Sequence, residues 1–132
     1  MNPFLFHAGL MAIALVVIAA GIIILKIPAL KRRYFKFHKM NGLAGTVCVL
    51  AGLASAVLMV YESGGHHVGV PHAYLGILTI FGMIVTVSLG LSQFRWKAQA
   101  RKIRFFHMWS GRATALLFIA AAVTGLIHAG IL

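Results

Sequence analysis

Four long stretches without a single charged side chain constrain this chain more than anything else in it. They are Ala8–Leu25, Met40–Tyr61, Pro71–Phe94 and Ala113–Leu132. A helix rises 1.5 Å per residue, so about 20 apolar residues cross the hydrocarbon core of a bilayer. In lipid every backbone polar group must be satisfied within the protein, which leaves helices or closed barrels. The runs show no period-two alternation, so the expectation is helices, at about 4–28, 37–61, 71–95 and 103–131. With 61% hydrophobic and only 10% charged residues, and a mean hydropathy of +0.97, there is too little charge to clothe a soluble domain. The chain reads as one domain over residues 1–132, an all-α membrane protein. The first run lacks a preceding basic segment and is expected to stay in the mature fold.

The cations settle the orientation. Lys26, Lys31, Arg32, Arg33, Lys36 and Lys39 flank the first connection. Arg95, Lys97, Arg101, Lys102 and Arg104 fill the third, with Arg112 just beyond. The middle connection, Glu62 to His67, has none. The net charge of +11 is therefore one-sided, which suits a membrane protein and argues against nucleic acid as a partner. The positive-inside rule puts the first and third connections in the cytoplasm and both termini outside. Short connections predict an up-down-up-down four-helix bundle. The basic connections are read equally as topology signals or as docks for an acidic partner or anionic lipid. The expected location is a multi-pass protein of a bacterial inner (plasma) membrane.

Each helix also carries a histidine near its start: His7, His38, His72 and His107. Three of them have a glycine four residues on, at Gly42, Gly76 and Gly111, while His7 has Met11. In an antiparallel bundle, His7 and His72 share the outer side and His38 and His107 the cytoplasmic side. The two members of each pair are diagonal across the core. A planar macrocycle between such a pair would be held on both axial faces, and histidine is a ligand of haem iron. Glycine at i+4 lies on the same face and lets a flat ring approach the backbone. Other readings remain open. A histidine at a helix end is often interfacial, and small-xxx-small patterns such as Gly42, Gly45 and Gly52 often serve packing. Zinc asks for four ligands in one tetrahedron, which two leaflets do not supply. A proton or metal pathway would be expected to use acids within the spans, which are missing here.

The motifs His7-Ala8-Gly9-Leu10-Met11, His38-x-x-x-Gly42, Pro71-His72-Ala73-Tyr74-Leu75-Gly76 and His107-Met108-Trp109-Ser110-Gly111, one per helix in order, resemble the transmembrane core of the cytochrome b561 family. That resemblance implies two haem b groups, one per leaflet, each with bis-histidine ligation, and transmembrane electron transfer. By position it pairs His7 with His72 and His38 with His107, as the topology does. Arg104, three residues before His107, and Arg112 are candidate partners for haem propionates; Arg112 is read equally as snorkelling to the interface. His66, His67 and His128 are expected at the outer surface, as solvated residues or as substitutes for His72. The first connection does not reproduce the family's ascorbate-binding surface, so the donor and acceptor stay open among quinol, ascorbate and redox proteins. The alternative function is a membrane anchor, a subunit of a larger redox complex with one haem or none, holding a peripheral enzyme through the basic face.

Overall fold

The computed structural model describes residues 3–27, 34–64 and 69–132. Four long helices account for nearly all of them: α1 (Pro3–Ile23), α2 (Tyr34–Glu62), α3 (Pro71–Arg95) and α4 (Ala100–His128). Single 3₁₀ turns at Ile24–Lys26 and Lys97–Gln99 follow α1 and lead into α4. There is no strand among the described residues. All four helices are long and apolar enough to cross a membrane. At 29 residues each, α2 and α4 extend about 44 Å, well past a hydrocarbon core of about 30 Å. Their N-terminal turns carry the surplus charge, Lys36 and Lys39 on α2 and Arg101, Lys102 and Arg104 on α4.

The chain folds as two helical hairpins, residues 1–66 and 67–132. In the first, α1 packs on α2; in the second, α3 packs on α4. Both pairs are antiparallel, since the start of each helix is hydrogen-bonded to the far half of its partner. Pro71 opens α3, where its missing N–H costs nothing. Gly64 and Gly130 close α2 and α4 with φ of 70° and 69°, the left-handed conformation that glycine adopts without penalty. Behind Gly130 the Ile131 amide reaches back to the Leu126 carbonyl at 3.0 Å, completing a Schellman-type cap.

Little of either hairpin is buried. Ala14, Val49, Met83, Phe118 and Ala121 line the helix contacts, while Val16, Val47, Phe81 and Leu116 are 65 to 69% exposed. Such an apolar exterior is stable only against lipid or further apolar helices. Polar side chains inside the helices are satisfied locally. Thr46, Ser55, Thr79 and Thr124 each donate to the carbonyl four residues back. No buried side-chain polar atom among the described residues lacks a partner.

Candidate functional site

His7, His38, His72 and His107 all turn toward the partner helix of their own hairpin, and all four make the same bond. The Nδ1 of His7 lies 2.8 Å from the Gly52 carbonyl, and that of His38 lies 3.0 Å from the Gly21 carbonyl. In the second hairpin the Nδ1 of His72 lies 2.7 Å from the Ala121 carbonyl, and that of His107 lies 2.8 Å from the Thr86 carbonyl. A backbone carbonyl only accepts, so Nδ1 carries the proton in each ring. The neutral imidazole then has its lone pair on Nε2. Fixing Nδ1–H on a carbonyl is the arrangement that sets the tautomer of a metal-binding histidine and raises its basicity. His7, the one without a glycine at i+4, is seated like the other three.

The acceptors follow a rule. Gly21, Gly52, Thr86 and Ala121 each stand 14 residues after the histidine of their own helix. Fourteen residues are two heptads, so histidine and carbonyl share one face in a left-handed helix pair. Along the axis they are about 21 Å apart. Each hairpin is thus reciprocal: each helix offers a ring at one end and an acceptor at the other. The halfway positions are small as well, at Ala14, Gly45, Thr79 and Thr114. Small residues let membrane helices approach closely, which brings a ring within reach of the opposite backbone.

The glycines separate into two kinds. A Cβ on Gly45 would run into Ile18, and one on Gly52 would come 3.1 Å from Met11 Cε. These hold α1 and α2 together. A Cβ on Gly42 or Gly76 would meet nothing within 4 Å, and one on Gly111 would make an ordinary 3.4 Å contact with Thr86 Cγ2. Packing among the described residues of each hairpin therefore does not require glycine at 42, 76 or 111.

His107 has further polar company. The Thr86 hydroxyl donates to Ser110 Oγ at 3.0 Å, and Ser110 donates to the His107 carbonyl at 3.2 Å. Together with the bond from His107 Nδ1 to the Thr86 carbonyl, this closes a circuit across the α3–α4 contact. Arg104 is exposed, three residues before His107. The Arg112 guanidinium lies over the Trp109 ring, 5.0 Å from its centroid. His128 is exposed at the end of α4 and, with Val70, Pro71, His72, Thr124 and Ile127, lines a cavity of about 180 Å³. His66 and His67 lie outside the described residues.

Among the described residues no three histidine, cysteine or acidic side chains come together as a metal cluster. Each hairpin instead presents one Nδ1-anchored imidazole toward each end. Such single, oriented rings would suit a haem iron, which draws on few protein ligands. The sequence reading found the four rings but missed what holds them. A backbone carbonyl has no side-chain signature; the available signal was the small residue 14 positions after every histidine.

A family model described as eukaryotic cytochrome b561 matches residues 6–132. The chain belongs to the cytochrome b561 family and is accordingly a multi-pass membrane protein of haem-based electron transfer. Neither the curated proteins nor the solved structures yielded a match.

Proposed function

We propose that this chain carries electrons across a membrane through two haem b groups, each held by one histidine from each hairpin. His7 and His72 would ligate the haem on the outer side, and His38 and His107 the haem on the cytoplasmic side. Bound haem supplies one-electron iron chemistry. The chain's own part is to present Nε2 lone pairs, strengthen them through the Nδ1–H bonds, and shield the sites with apolar helices. The observation that carries this reading is the identical Nδ1–carbonyl bond made by all four histidines. Four interfacial histidines have no reason to share one tautomer and one partner type. Within each hairpin the two histidine layers lie about 21 Å apart along the helix axis.

Gly42, Gly76 and Gly111 are proposed to give the rings their approach, and Arg104 and Arg112 to meet propionates at the cytoplasmic side. The chain would act as one domain over residues 1–132, with both termini outside and the basic connections in the cytoplasm. The membrane is proposed to be a bacterial plasma membrane, although the matched family model is described as eukaryotic. Quinol, ascorbate or a redox protein would serve as donor or acceptor. The anchor reading draws on the exposed cations Arg95, Lys97, Arg101, Lys102 and Arg104, which could dock a peripheral enzyme in a larger complex.

A pyridine haemochrome assay on the purified protein tests the proposal, with two haems per chain expected. His38→Ala and His107→Ala should remove the same haem, and His7→Ala and His72→Ala the other. A haem-free protein would refute electron conduction, and loss of the same haem in His7→Ala and His38→Ala would refute the pairing.

A further inference from the structure

The two hairpins make room for their rings in different ways. In a helix the carbonyl of residue i points along the axis toward the N–H of i+4, so an outside donor must pass close to the side chain at i+4. In the second hairpin those positions are both glycine: Gly90 follows the Thr86 acceptor, and Gly125 follows the Ala121 acceptor. A Cβ on Gly90 would lie 2.9 Å from His107 Cε1 and 3.1 Å from its Nδ1. A Cβ on Gly125 would lie 2.9 Å from both Cε1 and Nδ1 of His72. Each ring therefore rests its Cε1–Nδ1 edge where a methyl would be. The first hairpin has Leu25 and Ala56 at the corresponding positions and places glycine at the acceptors themselves, Gly21 and Gly52. A Cβ there would meet Asn41 or Met11 and not a histidine.

We infer that Gly90 and Gly125 are positioning residues that set the ring placement of His107 and His72 for axial ligation; this rests on the proposed haem-binding reading. Cε1 is bonded to both ring nitrogens, so a push on it moves Nε2. Restoring an ordinary 3.4 Å contact requires a shift of about 0.5 Å. That equals the tolerance within which a ligand must be held, about 0.5 Å. Near Gly90 the Thr86–Ser110 bond crosses the same contact and opposes separation of the helices there.

The test compares Gly90→Ala, Gly125→Ala and Gly82→Ala, purified as the full chain with haem. Gly82 is the control: its Cβ would meet Thr114 Oγ1 at 2.6 Å across the same α3–α4 contact, with Thr114 and not a histidine as its nearest neighbour. The readouts are haem per chain, the low-spin optical and electron-paramagnetic signature of each haem, and haem transfer to apomyoglobin. Gly90→Ala should weaken retention of one haem, the one that His107→Ala removes, by about 10- to 100-fold, the usual effect of disturbing a ligand's support. Gly125→Ala should do the same to the haem that His72→Ala removes. In each case the unaffected haem reports that the chain is folded. Unchanged signatures in Gly90→Ala and Gly125→Ala would overturn the inference, as would equal disturbance of both haems or the same effect from Gly82→Ala. If His107→Ala itself kept both haems, the failure would lie in the ligand assignment instead.

Discussion

Gly42→Ala is expected to move stability and haem content in opposite directions. Glycine in a helix interior costs about 1 kcal/mol relative to alanine. At Gly42 nothing among the described residues opposes that gain, because the added methyl finds no atom of theirs within 4 Å. The haem-free protein should therefore be stabilised by up to about 1 kcal/mol. The haem-loaded protein should lose occupancy of the haem proposed for His38 and His107, because the methyl rises one turn from His38 on the face proposed for the ring. Gly45→Ala provides the opposite case in the same helix. Its methyl drives into Ile18 on α1, and overpacking of this kind costs about 1–3 kcal/mol. Denaturation of both variants in mixed micelles, with and without haem, together with haemochrome stoichiometry, makes the comparison. If Gly42→Ala destabilised the haem-free protein, Gly42 would be a packing glycine. If it kept both haems with unchanged spectra, the proposed approach of the ring to this backbone would be wrong.

Two further outcomes follow from the helix contacts. Ser110→Ala removes the acceptor of the Thr86 hydroxyl and the donor to the His107 carbonyl, and should cost about 1 kcal/mol in a micelle denaturation series while haem content is unchanged. Phe118→Ala should cost about 2 kcal/mol in the same series. In lipid the lost side chain forfeits contacts and leaves a cavity, but the water-transfer term that raises such losses to about 3–5 kcal/mol in soluble cores is largely absent.

The four helices were legible because lipid leaves so few alternatives. An uncharged run of this length without period-two alternation reads as a helix, and lysines and arginines mark its end at the first or third connection. Helix ends were less sharp: α2 begins at Tyr34 and α4 at Ala100, each about a turn before the expected starts at 37 and 103, because basic residues continue a helix readily once it leaves the membrane. The histidines stood out as ionisable groups in apolar surroundings. Their seats did not, since acceptor carbonyls are common to all residues and a contact glycine looks like any other. Gly90 and Gly125 acquire meaning only when the opposite helix is in place. Gly42, Gly45 and Gly52 look equivalent in the sequence, yet Gly45 and Gly52 face α1 and a Cβ on Gly42 meets none of the described residues within 4 Å. Arg112 shows the same limit: its partner is the Trp109 ring on its own helix, at a spacing of three that the sequence contains without ranking.

The reciprocity of each hairpin bears on how the protein matures. Both rings of a hairpin are anchored by bonds internal to that hairpin, so their orientation is settled as soon as its two helices meet. The rotational freedom of four imidazoles is then already lost before any cofactor arrives, and cofactor capture need not supply that entropy. Because the rings of one hairpin sit toward opposite ends, neither hairpin alone brings two imidazoles to the same membrane face. Under the proposed ligation, each haem would meet ligands whose ring orientation is already fixed within their own hairpins.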